Sequence, residues 1–210
     1  MARFGENTAD DHNGVTKDTY LRGPSYADTN YGTSTMFRVR NNTDVSLHTR
    51  KSVLKYDLSA ISGQTVTAVT FNIWIVLNQT ININLWSCVR DWVELTATWN
   101  KYDGVNPWGA DHDRDRALHS FNTGVGVGYY FSLSSAALTA YIQDVLNGVE
   151  GVPADTANLL LYGPWGNTAD FTSSDGTDGH RPYLDIISAA PVPAGGALAS
   201  RTGLRVGLHI

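Results

Sequence analysis

Asp91-Trp92-Val93-Glu94-Leu95-Thr96-Ala97-Thr98-Trp99-Asn100 follows an alternating apolar run, and its residue types belong to a loop that is pinned in place. Trp92 and Trp99 each bury a large apolar area and offer one indole N–H. Glu94 and Thr98 carry the groups that satisfy the backbone of a tight, irregular crossing. This combination fits a loop fixed across the end of a β-sandwich, and it reads as a structural signature with no catalytic content.

The chain around the loop keeps alternating between β-branched or aromatic runs and Gly/Asn/Asp/Ser clusters, the pattern of many short strands. Strands are expected over Thr16–Arg22, Thr35–Arg40, Lys51–Asp57, Val66–Leu77, Ile81–Arg90, Gly128–Leu133, Ala157–Tyr162 and Pro182–Ser188. Alternation is strict from Ile81 to Trp86, so Ile81, Ile83 and Leu85 should face the core and Asn82, Asn84 and Trp86 the other side. Phe71–Leu77 and Ile81–Trp86, separated by Asn78-Gln79-Thr80, are expected to pair as a hairpin. Ser134 opens the single helical pattern, with Leu138, Ile142 and Val145 or Leu146 at helical spacing and Asn147-Gly148 as the stop.

The fold class is therefore all-β: a jelly-roll sandwich with one short amphipathic helix and extended terminal tails. With 210 residues, 42% of them hydrophobic, the chain supports one sizeable core. We divide it into an N-terminal arm over 1–17, a sandwich over 18–188, and a Pro/Gly linker with a strand-like tail over 189–210. A net charge of −5 gives no basic footprint for nucleic acid. Cys88 is expected to be a small buried hydrophobe, no segment is apolar and long enough to span a bilayer, and the polar start lacks the apolar core of a secretory signal.

Five ordered runs carry a family resemblance: Asp18-Thr19-Tyr20-Leu21-Arg22-Gly23, Thr29-Asn30-Tyr31-Gly32, Arg50 to Leu58, Asp91-Trp92 with Glu94 and Thr98-Trp99-Asn100, and Arg181-Pro182-Tyr183-Leu184-Asp185. Together they resemble the DNRLRE-type domains grouped with carbohydrate-binding module family 96. The resemblance implies a β jelly roll without catalytic machinery, found in surface-exposed or extracellular proteins. In some members it implies binding of acidic polysaccharide such as alginate.

A site for such a ligand needs flat aromatic surface against sugar faces and cations for uronate carboxylates. Arg38 and Arg40 project to one face of their strand, with Arg22, Lys51 and Lys55 on candidate neighbouring strands lining the same groove. Tyr26, Tyr31, Trp108 and Trp165 stand beside Gly, Pro or Asn as loop aromatics, so the candidate glycan site is Arg38, Arg40, Lys51, Tyr26, Tyr31, Trp108 and Trp165. Asp111, Asp113 and Asp115 place carboxylates at every second position, a pattern that suits calcium, and no cofactor beyond such a structural ion is expected. Asp170–Asp178 reads as a second acidic loop. Asn41 and Asn78 match the glycosylation acceptor pattern, read here as turns. No paired carboxylates or nucleophile with its base group together, and His48, His112, His119 and His180 are scattered, so the protein is not expected to be an enzyme.

The tails suggest an assembly role. Leu204, Arg205, Val206, Leu208 and Ile210 alternate like a strand that adds to a neighbour's sheet edge. A start without an export signal and a jelly roll with no enzyme attached suit a non-catalytic structural or adhesion protein on a virus particle, such as a bacteriophage head decoration or fibre. The expected partners are capsid or like chains held through the N- and C-terminal tails, with no nucleic acid and no membrane insertion. The alternatives are an extracellular module for acidic polysaccharide and a surface filament subunit.

Overall fold

The computed structural model describes residues 1–5, 17–40, 49–124, 126–149, 151, 154–163, 167–177 and 179–190. The strands are β1 (Ala2–Phe4), β2 (Lys17–Arg22), β3 (Met36–Arg40), β4 (Arg50–Asp57), β5 (Thr65–Asn78), β6 (Asn82–Cys88), β7 (Arg114–Asn122), β8 (Tyr129–Leu133), β9 (Thr156–Tyr162), β10 (Thr168–Thr172) and β11 (Tyr183–Ala189), with α1 (Ala136–Leu146) between β8 and β9. Pairing is antiparallel throughout and runs β1-β11-β5-β10-β3-β4-β9-β6-β7, with β2 on the free edge of β4 and β8 on that of β5. The join between the two halves is narrow, since β3 meets β4 only at Arg40 opposite Arg50. Register shifts in the β5–β10, β5–β11 and β6–β7 ladders help to curl the sheet until its halves face each other as a sandwich.

Inward side chains fill the interior as the alternation predicts: Ile81, Ile83 and Leu85 are buried with Phe37, Phe71, Ile73, Leu159, Leu161 and Phe171, while Asn82, Asn84 and Trp86 point the other way. Cys88 is buried and unpaired, and burial pushes its thiol up to about 12. The helix forms where expected but starts one residue later. Ser135, not Ser134, accepts the Leu138 N–H at 3.0 Å and donates to the Leu118 carbonyl at 2.7 Å. Buried Leu138, Tyr141, Ile142 and Val145 then set α1 against β5, β7 and β9, so that it spans both halves.

The expected hairpin does not form. β5 pairs with β11, β10 and β8, whereas β6 pairs with β7 and β9. The link between them is a corner: Asn78 accepts the Thr80 N–H at 2.9 Å, Thr80 is left-handed at φ 54°, and the chain crosses from one half of the sandwich to the other. β7, an edge strand with arginines and an aspartate, lacks the apolar alternation that marks a strand, and β10 overlaps the start of Asp170–Asp178, the run read as an acidic loop. β1 adds three residues of the presumed arm to the sheet edge at β11, with Arg3 and Asp185 paired at 2.9 Å.

Candidate functional site

A second apolar cluster lies on the outer face of β2, β4, β6 and β9, where Leu21, Val53, Cys88 and Leu160 are covered by Trp92 and Ala97. Three other runs of the sequence pattern meet on this loop. Asn30 Nδ2 donates to the carbonyls of Glu94 and Ala97 at 2.6 and 2.7 Å, and Gly32 packs so close to Glu94 that a Cβ there would fall 2.2 Å from its carbonyl oxygen. The Asp18 N–H donates to Glu94 Oε1 at 2.9 Å, and Lys55 Nζ donates to Asp91 at 2.6 Å and to the Trp92 carbonyl. Asp18 itself is buried and accepts the Ser174 N–H at 2.6 Å; burial pushes its carboxyl up to about 8. The loop is thus clamped by side chains far from it in sequence.

On the inward-facing side of β2 and β4, at the corner where β3 joins, arginines form a row. Arg22 opposes Arg50 across β2–β4, Arg50 opposes Arg40 across β4–β3, and Arg38 follows on the same face as Arg40. Among the described residues, the one carboxylate that pairs with the row is Asp170, 3.0 Å from Arg38. Nε of Arg22, Arg40 and Arg50 is buried and without a hydrogen-bond partner. Burial, followed by repulsion from Arg38 and Arg22, lowers the pKa of Arg50. Tyr26 and Tyr31 complete the surface: Arg22 lies 3.4 Å above the Tyr26 ring, and Tyr31 stacks on Tyr20 at 4.1 Å. Like charges directly opposite one another destabilise a sheet, so this row is not there to hold the fold.

Lys51, one residue from Arg50, points to the other face of β4. Its ammonium is at the base of an open cleft of about 320 Å³ lined by Trp99, Asn100, Trp108, Gly109, Asp111 and His112. A backbone carbonyl only accepts, so His112 donates from Nε2 to the Trp99 carbonyl at 3.0 Å; its Nδ1 then accepts from Lys51 at 3.0 Å. Burial, then the Lys51 charge, hold His112 down at about 4, and burial lowers Lys51 to about 8 against the opposing pull of the Asp111 carboxylate, with a smaller contribution from Arg114. Asp111, His112 and Asp113 are all left-handed, at φ 53°, 64° and 55°. Asp113 fixes that turn by accepting the Gly109 N–H at 2.7 Å and pairing with Arg90 at 3.0 Å.

Residues 12–106 match carbohydrate-binding module family 96. The match spans β2 to β6, the clamped loop, the arginines of the row and Lys51, and includes four of the five runs on which the resemblance was read; Arg181–Asp185 lies beyond it, in the same sandwich. Modules of this kind are non-catalytic binding domains. A comparison with curated proteins found no match. No helix among the described residues is long and apolar enough to cross a membrane, and a carbohydrate-binding module fits an extracellular or surface-exposed protein.

Against the family 96 frame, the predicted site residues separate into two groups. Arg38, Arg40, Tyr26 and Tyr31 gather with Arg22 and Arg50, whereas Lys51 and Trp108 meet in the cleft, so one groove does not hold them all. Lys55 turns to Asp91 and joins neither. Trp165 and the tail residues Leu204, Arg205, Val206, Leu208 and Ile210 lie outside the described residues, as do His48 and Asn41. Asp111, Asp113 and Asp115 do not converge: Asp111 pairs with Arg114 at 2.7 Å and Asp113 with Arg90, and among the described residues no three His, Cys, Asp or Glu side chains form a metal-binding group. Asp170, read as part of an acidic loop, is instead a buried strand residue facing Arg38.

Sequence reasoning missed Arg50, Trp99 and His112 as site residues. For Arg50 a signal existed: it precedes Lys51 on a strand whose two faces are otherwise apolar toward Leu54, so adjacent cations there must serve opposite faces. Trp99, read purely as a structural lock, is only half-buried and walls the cleft, and Trp92 is the fully buried member of the pair. His112 carries no sequence signal, since its place depends on a left-handed turn built by residues from elsewhere.

Proposed function

We propose that the protein is a non-catalytic module that binds acidic polysaccharide along the arginine row of Arg22, Arg38, Arg40 and Arg50. The observation that carries this reading is the set of buried Nε donors without hydrogen-bond partners on Arg22, Arg40 and Arg50, beside Arg38, whose ion-pair partner among the described residues is Asp170. Guanidinium forks match carboxylate geometry in two parallel hydrogen bonds, and successive uronate units present carboxylates along a chain. Tyr26 and Tyr31 supply flat rings beside them for sugar faces. Affinity electrophoresis through gels containing alginate or related uronates tests the reading. Wild-type protein should be retarded and Arg40→Ala much less so; equal mobility with and without the polymer would remove it.

Placement on a virus particle surface is a separate proposal, supported by the strand-like composition of Leu204 to Ile210. Deleting Ala194 to Ile210 should then abolish particle or oligomer formation, and unchanged assembly would exclude this role. The pairing of β1 with β11 leaves less for the N-terminus to contribute, since its first three strand residues are engaged within the same chain.

A further inference from the structure

We infer that the module carries a second, independent ligand site in the Lys51 cleft, which takes a single carboxylated sugar unit, so that one protein molecule engages acidic polysaccharide at two places. The inference rests on the polysaccharide-binding reading and adds to it a distinct site on the opposite face of β4.

Lys51 is only 8% exposed, yet among the described residues no carboxylate lies within ion-pair distance of its ammonium. Its contacts are neutral: His112 Nδ1 at 3.0 Å and, more weakly, the Asp111 carbonyl at 3.4 Å. The Asp111 carboxylate offsets part of the burial cost from beyond ion-pair distance and is itself held by Arg114, so the ammonium has no directly paired counter-charge, and the cleft above it is open. An incoming carboxylate supplies the missing charge. Arg114 stands nearby, 4.9 Å from the Trp86 ring and 5.7 Å from that of Tyr162, and holds the Asp111 carboxylate at 2.7 Å, which limits repulsion of an anion at the rim.

The walls fit a sugar ring. Trp99 and Trp108 are both half-buried and line the cleft, with Asn100 beside them, its amide N–H held by Asp28 at 2.9 Å. At about 320 Å³ the cleft is at the small end of ligand pockets, which run roughly 300–1,000 Å³, and suits a monosaccharide-sized group. It is also preformed. Trp108 Nε1 donates to the Thr98 carbonyl at 2.8 Å, and a Cβ on Gly109 would fall 2.4 Å from Asp113 Oδ1, so the turn accepts no other residue there without moving. Three consecutive left-handed non-glycine residues cost about 1–3 kcal/mol each, and such strain is retained where it places functional groups. Here it sets the His112 ring and the Asp111 carbonyl against Lys51.

Titration calorimetry of the full chain with a short oligouronate tests this, using wild type, Lys51→Met, Trp108→Ala, and the Arg40→Ala/Arg50→Ala double variant. Two sites should fit the wild type. Lys51→Met and Trp108→Ala should each weaken one site tenfold or more and leave the other, and the arginine double variant should do the reverse. The titratable groups lining the cleft are Lys51, Asp111 and His112, with Arg114 and Asp113 as the charges next to them; of these Lys51 titrates in the accessible alkaline range. The cleft site alone should therefore weaken above about pH 8, by roughly tenfold per further unit. A single site in the wild type that Lys51→Met and Trp108→Ala leave unchanged would overturn the second site while sparing the arginine row. Loss of all binding in Lys51→Met with its fold intact would show one joint site and overturn independence, and no heat in the wild type would overturn the polysaccharide reading itself.

Discussion

Arg50 and Lys51 are neighbours on β4, yet each belongs to a different region built on a different solution to burying positive charge. In the arginine row, guanidinium groups crowd across β2, β4 and β3, and burial with repulsion from Arg38 and Arg22 lowers the pKa of Arg50. In the cleft a single ammonium is held by a neutral imidazole between indoles, and burial brings it near the pH range where it loses its proton. An anion therefore meets a permanent, distributed charge on one face and a single, titratable one on the other.

The most severe way to break this comparison is Trp92→Ala. Trp92 is fully buried beneath the loop that carries the cleft, so truncation should destabilise the protein by about 3–5 kcal/mol, read as a lower urea midpoint. A loss of less than about 1 kcal/mol would mean that the clamps from Asn30, Asp18 and Lys55 hold the loop without the indole. Next in size is Arg50→Met. It removes one donor set from the row, and charged hydrogen bonds contribute about 1.5–3 kcal/mol, so affinity for the acidic polymer should fall roughly 10- to 100-fold. Because Arg50 is half-buried among like charges, the same change should leave the thermal midpoint unchanged or raise it; a clear drop would show that the row stabilises the fold.

Salt sharpens the contrast further. The row is distributed and partly exposed, Arg38 being 30% exposed at its side chain, and raising ionic strength from about 0.05 to 0.5 M should weaken it more than the nearly buried Lys51. Calorimetry of the two single-site variants across that range checks the order. Asp18 ties β2 to the loop and to Ser174. Its folded pKa is raised from 3.8 to about 8, so its contribution to stability is fully present below pH 3.8 and lost as pH rises through about 8. Asp18→Asn, which keeps an acceptor for the Ser174 N–H and cannot ionise, should flatten that decline in pH-dependent unfolding.

Much of the scaffold was legible in the chain. The alternation at Ile81, Ile83 and Leu85, the helix over Leu138 to Val145, and the runs around Trp92 and Trp99 are local patterns, and each marks its element because side-chain period and backbone geometry act over a few residues. Local reasoning failed where partners had to be chosen. Phe71–Leu77 and Ile81–Trp86 look like a hairpin, but the corner at Asn78 to Thr80 sends them to different halves of the sandwich. β10 looks like a loop because Asp170 is acidic, and Arg38 opposite, with Arg50 beyond it, makes its burial tolerable.

The sequence by itself determined the class of the fold, its core residues and the motif set that resembles carbohydrate-binding module family 96, because these follow from short-range periodicity and residue chemistry. Only the tertiary structure decided that Arg22, Arg40 and Arg50 form one row, that Lys51 turns away from it, and that His112 and Trp99 meet it on the far side. Those outcomes rest on strand pairing and on a left-handed turn held by distant side chains, and such contacts acquire their energy only when the chain has closed on itself.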